Sequence, residues 1–207
     1  MKEIAESDGS PQSGGSTPAR MSVALISNYR PDGQQSMLRY GEMLREALAE
    51  RGYEALLLHP PTVLGRLPWP GGMGKWVGYI DKYLFAPLWL RWKVRRADVV
   101  HVCDHSNSMY LPWVSRKPNA ITCHDLIAVF GARGRYPGVH TRGTGRVLQK
   151  WIARDLVRAR YVVCDSRGTE ADLRELAGQT QAKFRTIYLA LNRRYATRMG
   201  HPVESRP

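Results

Sequence analysis

The sequence is poor in cysteine, and the three it has (Cys103, Cys123 and Cys164) form no Cys-x-x-Cys pair. An odd count without close spacing argues against a disulfide framework and for a reducing compartment. Each cysteine instead closes an apolar run (VVHVC, AITC, YVVC), the place of a small core residue near a strand end. Zinc held by these thiols with His105 or His124 would lack a close-spaced ligand pair, so no metal is expected. No run of 18 apolar residues occurs, so no segment is expected to span a membrane. The loop after the first apolar run reads PDGQQS, with one glycine where a dinucleotide-binding protein carries Gly-x-Gly-x-x-Gly. That argues against a Rossmann-type dehydrogenase. Acids are scarce too: 18 against 31 lysines and arginines, a net charge of +13. Such a balance favours anionic partners, whether nucleic acid, an acidic membrane surface or phosphorylated substrates. No block of five or six like charges exists, so the charge is not a basic tail.

What is present is a regular alternation. Residues 1–20, rich in Ser, Gly and Pro, read as a disordered leader, and 207 residues leave room for one domain with a proper core. Ser22–Ser27 is a continuous apolar run, as in a strand buried on both faces. Met37, Tyr40, Leu44, Ala47 and Leu48 then recur at helical spacing up to Arg51, with a cap at Ser36 or a neighbour and Gly52 as the stop. Further strands are expected at Tyr53–Leu58, Asp98–Cys103, Asn119–Cys123, Tyr161–Cys164 and Phe184–Leu189. Helices are expected over Ser108–Val114, Arg146–Arg160 and from Ser166, as N-cap, to Ala177. Residues 59–74 form a long proline- and glycine-rich loop, and Gly131–Gly145 a flexible one. Six short strands alternating with helices predict an α/β fold: a single doubly wound parallel sheet, Rossmann-like, over residues 21–192.

In such a sheet ligands bind beyond the carboxyl ends of the strands. The stretch NAITCHDLIAVF delivers His124 and Asp125 to that place, and the third strand likewise ends in Asp104 and His105. From Arg133 to Arg160 eight basic residues face one acid, Asp155, a cluster suited to drawing a phosphorylated ligand into a crevice. The segment Lys75–Arg96 mixes six aromatic residues with six basic ones and only Asp81 as an acid; Pro87 is expected to kink or split it. Its pattern fits an element lying on an anionic membrane surface, and equally a core-facing helix pair with a solvated basic end.

Four stretches, in order, carry a resemblance: SNYRPDGQQSMLRYGEMLREALAERGYE, ITCHDL, VVCDSRGTEADL and FRTIYLALNRRY. The chain from residue 22 to about 195 resembles the N-terminal domain of GT4-type (glycogen-synthase-like) retaining glycosyltransferases of the GT-B fold. The resemblance implies His124 against the donor sugar, Asp125 bracing its loop, and Gly33 in the loop approaching donor phosphate and acceptor. It implies Ser166 at the start of a helix lining the cleft. The strand-end position itself makes Asp104 and His105 candidates for substrate binding, and the basic cluster makes Arg133, Arg135 and Arg142 candidates to face anionic groups. Donor chemistry would be a nucleotide-diphosphate sugar, with no other cofactor and, as no Asp-x-Asp pair occurs, no metal. The resemblance also implies a second, donor-binding domain carrying a Glu-x7-Glu pair. Glu42 and Glu50 have that spacing, but they share the polar side of a helix with Glu46 and read as a solvated face.

The expectation is therefore an acceptor-binding half, a truncated or split glycosyltransferase, with residues 193–207 as an interdomain linker. It would be incompetent for transfer without its missing domain, present in cis or in trans. Its acceptor would be a sugar or a lipid-linked molecule, and its location cytoplasmic, peripheral on the inner membrane face. A non-catalytic binding module or remnant partner subunit is the alternative. Nucleic-acid binding would rest on charge alone, without a recognised motif.

Overall fold

The computed structural model describes residues 20–189 apart from 68, 71, 72, 139, 140, 142 and 181. The leader up to residue 19, the linker expected over 193–207 and Arg142 lie outside the described residues. Six strands form one sheet: β1 Ser22–Ile26, β2 Glu54–Leu58, β3 Val99–Val102, β4 Asn119–Cys123, β5 Tyr161–Cys164 and β6 Lys183–Thr186. Their order is β2-β1-β3-β4-β5-β6 and every pairing is parallel. The predicted α/β, Rossmann-like single sheet is therefore what the chain forms.

Period-two alternation decides which side chain faces which layer. Val23 and Leu25 of β1 pack with Tyr40, Leu44 and Leu48 of helix α1 (Gln35–Glu50). Ala24 and Ile26 point the other way, into the larger core with Val100, Val102, Ile121, Leu90 and Leu156. The three cysteines are buried and unbridged, and burial pushes the Cys103 and Cys164 thiols up to about 12. They fill core space, as expected of thiols closing strands.

Several boundaries differ from the sequence reading. Gln34, not Ser36, stands at the N-cap of α1 without a side-chain cap bond; its side chain accepts from Asn28 instead. The helix expected over Ser108–Val114 is a 3-10 stretch, His105–Tyr110, followed by the short α4, Leu111–Val114. Asp104 opens that stretch by accepting from the Ser106 amide, and Pro112 occupies the first turn of α4. An unforeseen helix, α5 (Ile127–Ala132), occupies the apolar run after Asp125 and the start of the expected loop at Gly131. Helix α6 runs Thr144–Leu156, shorter than Arg146–Arg160 at its C-terminal end. Helix α7 runs Arg167–Ala177, with Ser166 capping it through the Thr169 amide at 3.1 Å as predicted.

Lys75–Arg96 is not split at Pro87: the helical run continues and changes its hydrogen-bond pattern just ahead of the proline. Helix α2 (Met73–Ile80) passes through a π-helical turn, Asp81–Phe85, into α3 (Ala86–Lys93), where Pro87 sits in the first turn. The π turn aims Asp81, fully buried, at the loop before it. Its carboxylate accepts from the amides of Val63 (3.1 Å), Leu64 (3.0 Å) and Gly65 (2.9 Å) and from the Tyr29 hydroxyl (2.8 Å). Part of the loop expected over 59–74 is thus a 3-10 turn, Leu64–Arg66, latched onto one carboxylate. No helix among the described residues is long and apolar enough to cross a membrane.

Candidate functional site

The chain runs from β1 outward to β2, then returns to β3 on the other side of β1. This places the topological switch between β1 and β3, and the loops leaving these strands part there to form a crevice. Asn28, directly after β1, is 2 % exposed and is the hub of the crevice floor. Its amide nitrogen donates to Asp104 Oδ2 at 2.6 Å and to the Gln34 side chain, and its Oδ1 accepts from Asn107 at 3.0 Å. Asp104 also accepts from the Ser106 amide (3.0 Å) and hydroxyl (2.7 Å). His105 Nδ1 lies 3.2 Å from Asp104 Oδ1, near enough for charge attraction but outside hydrogen-bond geometry. Burial raises the Asp104 carboxyl, but His105, Asn28 and Ser106 together outweigh it and hold the group well below the usual carboxylate range. His59, just after β2, reaches the same region, its Nδ1 3.2 Å from the Asn28 carbonyl; burial lowers its pKa.

His124 follows β4 and is wedged between its neighbours. Its Nε2 lies 3.1 Å from the Cys103 carbonyl and its Nδ1 3.2 Å from Asp165 Oδ2, while Tyr40 meets its ring edge-on at 4.8 Å. Both ring nitrogens therefore face acceptors of the protein itself, tying the ends of β3, β4 and β5 to α1. Tyr40 also bonds Thr122, which bonds His101 at 2.8 Å; burial drives the His101 ring down to about 4, so it stays neutral beneath the crevice.

The other predicted residues separate into groups. Asp125 is exposed beside His124 and accepts from the Ile127 amide at 3.0 Å, opening α5. Ser166 bonds Thr169, whose hydroxyl donates to the His124 carbonyl at 3.0 Å, so it reaches the cluster through one residue. Gly33 sits in the first loop at φ +69°, a left-handed turn with open space around it. Arg133 is exposed at the end of α5. Arg135 does not face an open crevice: its guanidinium pairs with Asp172 (3.0 Å) and Glu175 (2.7 Å) and covers the Phe130 ring. Charge neutralisation by two carboxylates of α7 removes it from the anion-facing set. Glu42 pairs with Arg45 on the solvated side of α1.

Sequence reasoning missed Asn28, Tyr40, Asp165 and Tyr29 as site residues. Asn28 and Asp165 carried the signal that drew attention to Asp104 and His124, since each is a polar residue at or next to a strand's carboxyl end. A cavity of about 400 Å³ lies between the loop after β1 and helix α2, lined by Tyr29, Pro31, Asp32, Gly65, Tyr79 and Lys82 among others. Lys82 closes its rim with an ion pair to Asp32 at 2.9 Å. No group of three His, Cys, Asp or Glu side chains among the described residues is arranged to hold a metal.

Comparison with known proteins agrees with this architecture. Sucrose-phosphate synthase from Thermosynechococcus elongatus superposes with a TM-score of 0.57 at 17 % identity, over 89 % of this chain and 54 % of the synthase. A shorter structure of that synthase superposes at 0.52 and 19 % identity, over 87 % of this chain and 96 % of the other. LpCGTa, solved in complex with UDP, matches at 0.57 and 12 % identity, over 84 % of this chain and 54 % of its own. The chain thus spans about half the length of the full synthase and of LpCGTa. Curated protein sequences gave no match. The sequence model of Glycosyltransferase Family 4 matches residues 37–194, from α1 past the last strand. The chain belongs to glycosyltransferase family 4.

Proposed function

We propose that this chain is the acceptor-binding half of a nucleotide-sugar-dependent retaining glycosyltransferase, completed by a second, donor-binding domain in cis or in trans. The observation that carries the reading is the crevice at the sheet's switch point, where Asn28, Asp104 and His124 converge from the ends of β1, β3 and β4. The bound UDP of LpCGTa supports a nucleoside-diphosphate sugar as donor. The second domain would clamp the diphosphate, and stabilising charge on the leaving group is usually the largest contribution to catalysis. Here Asn28 and Asp104 shape the floor, His124 faces the donor sugar, and Asp125 braces its loop. Gly33 lets the first loop approach, Ser166 anchors α7 at the rim, and Arg133 is exposed toward anionic groups.

One observation favours a second reading, a non-catalytic binding module. Both His124 ring nitrogens are engaged by the protein, so one must leave Asp165 or the Cys103 carbonyl to reach a substrate hydroxyl. Amide-resolved NMR titration with soluble glycosides and sugar phosphates tests the acceptor site. The expected shifts fall on residues 28–34, 104–107 and 124–125. Shifts confined to other surfaces would overturn the assignment.

A further inference from the structure

The run from α2 through the π turn to α3 is apolar on two opposite sides. One side, with Val77, Ala86, Leu90 and Val94, is buried in the domain. The other carries Met73, Trp76, Ile80, Leu84, Leu88 and Trp92, each between 41 % and 62 % exposed. From Trp76 these recur at every fourth residue, an unbroken ridge about 24 Å long. A surface helix ordinarily turns polar residues outward, so a ridge this apolar calls for an occupant.

Charge identifies that occupant. Arg91, Lys93, Arg95 and Arg96 are exposed along the end of the ridge, and Arg66 is exposed on the adjoining loop. None is paired with a carboxylate among the described residues, and Asp81, the one acid of Lys75–Arg96, is buried under the latch. Lys93 reaches across the Trp92 and Trp89 rings at 4.8 and 5.6 Å, as amphipathic side chains do at an interface. A two-fold interface with a second copy would bring the same patch, and so the same unpaired cations, together. A protein partner's interface core is commonly depleted of lysine. Tryptophan at headgroup level, leucine and isoleucine below it, and arginine against phosphate are what a lipid surface accepts.

We propose that this ridge docks the protein on an anionic lipid membrane. Residues of the same helical run, Gly78, Tyr79 and Lys82, line the cavity against the loop after β1, so docking would bring that cavity to about one helix diameter from the lipid headgroups. The acceptor is then a lipid-linked sugar whose headgroup enters from the membrane side. That last clause rests on the transferase reading; the docking does not.

The test is flotation of the full chain with phosphatidylcholine vesicles, alone and with phosphatidylserine added, for wild type and two variants of exposed residues. Wild type is expected to float with the anionic vesicles only. Trp76→Ser/Leu84→Ser/Trp92→Ser is expected to lose ~10-fold or more of that binding, and Arg91→Glu/Arg95→Glu to lose the preference for anionic lipid. Unchanged melting curves for both variants would show that the fold is intact. Failure of wild type to float overturns the proposal, and so does a triple variant that floats like wild type. A wild-type dimer that the triple variant turns into monomers, without lipid binding, assigns the ridge to a second copy and also overturns it. Flotation reads no sugar binding, so failure here leaves the crevice reading standing, and a failed glycoside titration leaves the docking standing.

Discussion

Asp81→Ala is expected to destabilise the domain by about 3–5 kcal/mol, because it leaves three amides and a phenol without their acceptor inside the protein. In a domain of this size that is a fall of roughly 10 °C in the melting temperature. The loss should centre on the latch: Tyr29 and the 63–65 turn should gain amide exchange before the sheet does. Gly65→Ala is a second probe of the same place, since a Cβ there would run into the Tyr29 hydroxyl and lie 3.2 Å from Asp81. The pH dependence has a definite sign. Burial raises the Asp81 carboxyl, but the amides of Leu64, Gly65 and Val63 and the Tyr29 hydroxyl outweigh it, so its pKa lies below the ordinary value of 3.8. A group depressed in the folded state stabilises above its unfolded pKa and loses that contribution as pH falls through the folded one. The gap between wild type and Asp81→Ala should be full near neutrality and close only below about pH 4. Urea melts at several pH values read both quantities. A gap that widens on acidification would contradict the account.

The second large effect is expected at Asp104. It is buried, and removing it leaves the Asn28 amide, the Ser106 amide and the Ser106 hydroxyl unmatched. Asp104→Ala should cost about 3–4 kcal/mol. Asp104→Asn should not rescue it fully, since its amide either turns a donor toward the Asn28 donor or turns one toward the Ser106 amide. The variant separates stability from function. At a temperature where it remains folded, glycoside-induced shifts at residues 28–34 should fall to about a tenth or less of wild type, because Asn28 no longer has the partner that orients it. Retention of those shifts with only a lowered melting temperature would make Asp104 a structural residue alone.

The sequence made the strands legible because each is a short apolar run bounded by turn residues; β4 and β5 fall at their predicted limits. It also made legible the capping residue with local physics, Ser166. What it hid was everything decided by partners far along the chain. Asn28 and Asp104 are 76 residues apart, and His124 and Asp165 are 41 apart. No local pattern shows that both nitrogens of His124 meet acceptors, or that Arg135 meets two carboxylates of α7. Asp81 was half legible: one acid amid six basic residues and six aromatic ones is out of place on a cationic surface. Its amide donors, 16 to 18 residues earlier, belong to a loop whose prolines and glycines concealed its order. Helix α5 was hidden because a short apolar run serves strand, helix or loop equally.

The central claim is that the crevice at the carboxyl ends of β1, β3 and β4 receives a sugar acceptor. Photolabelling tests it most directly: the full chain is irradiated with a diazirine-bearing glycoside, then digested, and the modified peptides are sequenced by mass spectrometry. The account predicts label on the segments around Asn28–Gln34, Asp104–Asn107 and His124–Asp125, competed away by the unmodified glycoside. Label that resists competition, or that collects at the opposite, amino-terminal ends of the strands near Ser22, Val99 and Asn119, would contradict it.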